Sequence, residues 1–161
     1  MTPPSVKIIR YLMKAPLLHL FLHVGHALDA ELRERMETLG VQPRQARVLD
    51  LIDRVGDGAS QADLARRLAI SSPSLSVMLA RMERDNLVLR APSDGDARSV
   101  IVTLTPAGSE SLAFARSVWR ELETVLLSRL GPDAVEPARN MLKAVRDAFV
   151  THSPDDIMEK P

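Results

Sequence analysis

SQADLARRLAISSPSLSVMLARMERDNLV, residues 60–88, is the stretch whose reading decides the fold. Ser60 stands where a helix cap is needed, with Asp63 three residues on in a capping-box-like arrangement. Leu64, Ala65 and Leu68 then share one side of a short helix. Ser71-Ser72-Pro73 starts the next helix, with Ser72 as the expected cap and Pro73 at the first helical position. Its apolar set, Leu75, Met78, Leu79 and Met82, recurs at spacings of three and four. Its other face carries Ser74, Ser76, Val77, Ala80, Arg81 and Arg84. A short helix, a brief turn and a second helix make the layout of a helix-turn-helix.

Beyond residue 86 the period changes. Leu87, Val88 and Leu89 form a short apolar run, and residues 99–104 are β-branched and strand-like. Between them lies a turn-rich tip, residues 92–96, which reads as too long for a two-residue turn and is expected to be mobile. Thr105 caps a further helix with Pro106 in its first turn, running to about Leu130 through Leu112, Ala115, Trp119, Leu122 and Leu126. Gly131-Pro132 breaks it, and Pro137 places the start of the last helix near Glu136, ending near Val150. The polar tail, residues 153–161, is expected to be disordered.

Upstream, Pro16 starts or kinks a helix that reaches about Leu39 and is stopped by Gly40. Residues 6–14 are also helix-like. Pro43 suits the first turn of a helix ending near Val55, with Ala46, Leu49, Leu51, Ile52 and Val55 apolar. Gly56-Asp57-Gly58 ends it as a turn.

Composition narrows the function. The length of 161 residues suits one domain or one domain plus a dimerisation extension, and 45% hydrophobic residues is ordinary for a packed protein. No apolar run reaches the ~18 residues of a membrane span, and no cleavage site follows the basic start, so a cytoplasmic location is expected. The absence of cysteine excludes disulfides and thiol-based sensing. Net charge is zero, with 21 basic and 21 acidic residues, which counts mildly against nucleic acid as a partner. The local field matters more. Residues 44–104 hold nine Arg, no Lys and eight acids. There is no Gly-rich phosphate loop, nucleophile elbow or His-Glu-x-x-His, so no enzyme is expected.

Three segments together resemble the MarR family of bacterial transcriptional regulators: residues 60–70, 71–88 and 94–108. The last, DGDARSVIVTLTPAG, is the most specific, because Asp96-x-Arg98 leads through a strand into Leu-Thr-Pro-x-Gly. The resemblance implies a mainly α fold, a winged helix-turn-helix with long N- and C-terminal dimerisation helices and a two- to three-stranded β-wing. It implies an N-terminal dimerisation region over residues 1–40 and a DNA-binding domain over 41–105. C-terminal dimerisation helices would occupy 106–150 and a flexible tail 151–161. The implied function is a homodimeric repressor on a pseudo-palindromic operator of double-stranded DNA, responsive to a small organic anion or aromatic effector and needing no cofactor.

Within that resemblance the expected DNA contacts are Ser72, Ser74, Ser76, Val77, Arg81 and Arg90, with Asp96 and Arg98 at the wing. Small residues at the helix start allow close approach to the major groove, though the same serines also serve as caps or solvated surface. Many relatives carry Arg at the positions of Val77 and Ala97, so this chain lacks one guanine reader and one wing phosphate contact. Arg81 supplies a contact or pairs with Asp85 four residues on. Arg98 suits a narrow minor groove, or else joins Asp96 in a turn salt bridge. Arg90 is a substitute contact at the wing base.

His19, His23 and His26 lie on one helical face and are candidates for an effector pocket, with Arg116 and Trp119 as walls. No metal site is assigned, although three imidazoles also suit a transition metal. Interface packing, with Arg116 in solvent, is the plainer reading. A metal-responsive regulator and a winged-helix protein adaptor without DNA binding remain alternatives.

Overall fold

The computed structural model describes residues 15–56, 59–93 and 96–150. The expected helical stretch at residues 6–14, the tip residues Asp94 and Gly95, and the polar tail lie outside them. The chain divides into two compact units, Met1–Pro43 and Arg44–Pro161.

The first unit is built on α1, Leu17–Met36. Pro16 is extended at φ −53°, ψ 145° immediately before it, so this proline starts the helix and does not kink it. The helix stops short of the expected Leu39. Glu37–Leu39 tightens into a 3-10 turn closed by Gly40, whose φ of +65° lets its N–H reach the Glu37 carbonyl. Leu17, Leu18, Leu22 and Leu28 of α1 are all exposed.

The second unit opens with α2, Pro43–Val55, where the sequence places it. Ala46, Leu49 and Ile52 are buried as expected, and Val48 joins them, while Val55 is exposed. β1, Ala59–Ser60, is a two-residue strand that the sequence pattern does not single out. Two residues are too few to show an alternation, and Ser60 also serves as the cap of α3, Gln61–Leu68, accepting from the Asp63 N–H. Ala69 closes α3 in the left-handed region at φ +52°.

α4, Ser72–Arg84, is capped by Ser71, not by Ser72 as expected. The Ser71 side chain accepts from the Ser74 N–H at 3.3 Å, which places Ser72 inside the first turn. Leu75, Leu79 and Met82 are wholly buried. Each contributes about 1.5–3 kcal/mol by leaving water. That burial fixes the rotation of α4 about its axis, and Val77 on the other side is left 59% exposed.

β2, Val88–Ser93, and β3, Asp96–Leu104, form an antiparallel hairpin, and β1 adds to the far edge of β3 in the order β1-β3-β2. The strands run further than expected, with Ser93 paired to Asp96. Only residues 94 and 95 lie between them, so the long tip read from the sequence is corrected to a two-residue connection. The register shifts between Pro92, paired with Val100, and Ser93, paired with Asp96.

Thr105 caps α5, Pro106–Leu130, as read from the sequence. Its buried hydroxyl donates to the Asn86 carbonyl at 2.5 Å and accepts from the Gly108 N–H at 2.9 Å. The end of α4 is thereby tied to the start of α5. Gly108 permits the approach, because a Cβ there would stand 1.9 Å from the Leu87 carbonyl oxygen. α6 spans Pro132–Val150 and so begins before Glu136, where Pro137 suggested. Pro132 and Asp133 make a sound first turn, and Pro137 is accommodated inside the helix.

Candidate nucleic-acid interface

Ser72, Ser74, Val77, Arg81 and Arg84 are exposed along α4, and Ser76 is half-buried at its flank. The Ser71 hydroxyl donates to Ser74 Oγ at 2.8 Å. Ser74 therefore still has its own O–H proton to offer to a base or a phosphate. Short polar side chains at the helix start, followed by two arginines toward its end, suit the edge pattern and the phosphate ridges of a groove.

The arginines of residues 44–104 whose side chains are described sort into two groups by their partners. Arg54 pairs with Asp50 at 2.7 Å. Arg66 and Arg67 both pair with Asp63, whose carboxyl they hold below the usual range by hydrogen bonding. Arg90 makes two bonds to one Glu83 oxygen, at 2.9 and 2.6 Å, and depresses the Glu83 carboxyl in the same way. Its guanidinium ties β2 to α4. Arg44, Arg47, Arg81 and Arg84 have no ion-pair partner among the described residues. The Arg81–Asp85 pair allowed by sequence spacing does not form.

Asp96, Ala97 and Arg98 begin β3, and their side chains lie outside the described set. A cleft of about 440 Å³ opens beside the start of α4, lined by Arg44 and Arg47 of α2 and by Ser71 and Ser74.

The expected effector residues lie on two helices, α1 and α5. His19, His23 and His26 are exposed on α1, and Trp119 is half-buried on α5. Among the described residues, no group of three or more His, Asp or Glu could hold a metal. Arg116 is partly exposed and held by two acids. It bonds Asp50 through Nε at 3.0 Å and reaches Asp53 at 2.8 Å, joining α5 to α2. The two carboxylates hold its guanidinium more firmly protonated than usual. No helix among the described residues is long and apolar enough to cross a membrane.

Residues 39–99 match the family model described as the MarR family. The transcriptional activatory protein BadR of Rhodopseudomonas palustris is 38% identical over 89 residues, covering 54% of this chain. The matched stretch spans 47% of BadR's own length. The HTH-type transcriptional repressor Rv2887 of Mycobacterium tuberculosis is 28% identical over 129 residues, covering 80% of this chain and 92% of that protein. A mutant MarR from E. coli complexed with operator DNA superposes with a TM-score of 0.75 at 27% identity, over 84% of this chain and 96% of that one. Residues 39–99 belong to the MarR family.

Seen as a MarR-family reading head, this stretch holds residues that sequence reasoning passed over. Arg44 and Arg47 lie on the polar side of α2, three apart, and were legible only as part of an arginine excess without lysine. Glu83 is the partner of Arg90 across a chain reversal, which no helical spacing rule predicts. Asp50 and Asp53 face Arg116 from 66 and 63 residues away in sequence.

Proposed function

We propose that this chain is a DNA-binding transcriptional repressor that acts as a homodimer and is released by a small organic anion. One observation carries the reading: the exposed face of α4 combines Ser72, Ser74 and Val77 with two arginines that have no ion-pair partner among the described residues. Several arginines of this neutral chain pair with its own acids, whereas Arg81 and Arg84 on α4 have no ion-pair partner among the described residues. In the working state α4 enters the major groove, Ser74 and Ser76 meet base edges or phosphates, and Val77 touches a thymine methyl. Arg81 and Arg84 neutralise phosphate, and Arg98 enters the minor groove with Asp96 shaping the wing.

The homodimer is supported by exposed apolar side chains at both ends of the chain. α1 exposes Leu18 and Leu22, and α5 and α6 expose Leu126, Leu130, Met141, Leu142 and Phe149. Large exposed apolar patches mark association surfaces. Two reading heads would then engage half-sites about 34–36 Å apart, and an effector that fixes another spacing would release DNA. A bacterial regulator of this kind works in the cytoplasm, where the DNA is. The metal-responsive alternative has no geometric support among the described residues.

A gel-shift titration with duplex spanning the DNA upstream of the chain's own gene tests this reading. A discrete shift at low salt, displaced by unlabelled specific duplex more readily than by random duplex, is expected. Folded dimer that shifts no duplex at low salt would remove it and favour a protein-binding adaptor.

A further inference from the structure

The cleft beside the start of α4 has a composition that the α4 contacts alone do not account for. Two of its lining side chains, Arg44 and Arg47, are arginines with no ion-pair partner among the described residues. Two more, Ser71 and Ser74, carry hydroxyls. The rest of the wall is apolar, from Val48, Leu68, Ile70 and Met78. No carboxylate lines it. Five other arginines of this unit, Arg54, Arg66, Arg67, Arg90 and Arg116, each reach an acid. Two cations left uncompensated at one apolar-walled cleft call for an anion from outside the chain.

We infer that Arg44 and Arg47 form a clamp for a DNA backbone phosphate at the edge of the groove that α4 enters. The inference rests on the DNA-binding reading and adds to it a second element, α2, that fixes the register of the reading helix. Ser74 belongs both to the exposed face of α4 and to the cleft wall, so duplex that meets α4 at Ser74 lies beside the two guanidinium groups. The major groove is about 12 Å wide and walled by phosphates, so an element flanking the inserted helix meets the backbone and not the bases. The apolar wall lowers the local dielectric and strengthens each charge-assisted bond to the phosphate oxygens.

The clamp makes a prediction that base-reading residues do not share. Affinity for a duplex selected by the parent protein from a random library is measured from low to high salt, for the parent, for Arg44→Ala/Arg47→Ala and for Arg44→Lys/Arg47→Lys. Removal of two phosphate contacts per protomer, four in a dimer, lowers the log–log salt slope by about 3.6. The lysine variant recovers most of that slope, and the order of preference among operator variants stays the same. An unchanged slope in the alanine variant, with parent-like thermal melting, overturns the clamp while leaving DNA binding intact. A changed base preference also overturns it, because the arginines would then be reading sequence. Loss of benzoate binding by the free protein, with the salt slope kept, overturns it in favour of a small-carboxylate pocket. A parent that binds no duplex overturns the DNA-binding reading together with the clamp.

Discussion

Ser71, Thr105 and Gly108 show how single residues place the reading helix. Ser71 holds the first turn of α4 through the Ser74 N–H, whereas Ser72 has already entered the helix. Ser71→Ala is expected to cost about 1 kcal/mol in urea unfolding, and Ser72→Ala distinctly less. Equal losses would return the cap to Ser72. Gly108→Ala drives a methyl into the Leu87 carbonyl and is expected to destabilise by roughly 1–3 kcal/mol or more. An Ala variant as stable as the parent would show that the α4–α5 junction yields easily. The cap of α5 was legible because Thr-Pro carries both signals at once. Gly108 was legible only as part of a family pattern, since its need arises from a carbonyl 21 residues upstream. The shift of the α4 cap by one residue reflects two adjacent serines with identical chemistry, which only the hydrogen bond separates.

At the scale of elements, the helices and the two hairpin strands announced themselves, but the extent of the sheet did not. α2 and α5 fall where periodicity, Pro at the first turn and Gly at the end put them. β1 escaped because it is two residues long, and the hairpin tip was overestimated because a bulge at Pro92/Ser93 hides in turn-like composition. The rotation of α4 was legible from Leu75, Leu79 and Met82, so its exposed face was too. Which arginines on that surface are free was not, because pairing such as Arg90–Glu83 crosses between elements.

That tie between β2 and α4 has a pH signature. Arg90 depresses the Glu83 carboxyl, and Arg66 and Arg67 depress Asp63. A lowered folded-state value means these pairs stabilise fully above the ordinary carboxylate range and are lost as pH falls through the folded value. Stability is therefore expected to fall on acidification below about pH 4. Glu83→Gln should flatten part of that fall in acid-unfolding curves; a curve unchanged from the parent would argue that the tie is energetically idle. Val77 offers a gain-of-function test on the same helix. Val77→Arg should tighten binding to operators that present a guanine opposite it, by about 1–3 kcal/mol, and leave other operators little changed. Equal tightening on all duplexes would mean that position 77 meets phosphate and not a base.

On the scale of the whole molecule, a zero net charge looked unfavourable for a DNA-binding protein. The pairing pattern removes the objection, because total charge counts arginines already neutralised by neighbouring acids. Arg54, Arg66, Arg67, Arg90 and Arg116 pair with acids of the same chain, while Arg81 and Arg84 on α4 have no ion-pair partner among the described residues. The most direct measurement is fluorescence anisotropy of a labelled selected duplex against three proteins: the parent, Arg81→Ala/Arg84→Ala, and Arg66→Ala/Arg67→Ala. The same two charges are removed in each variant. The account predicts a loss of at least tenfold for the α4 pair, with a salt slope flatter by about 3.6 for the four contacts of a dimer, and a much smaller loss for the acid-paired arginines of α3. Equal losses in the two variants, or a larger loss from α3, would contradict it.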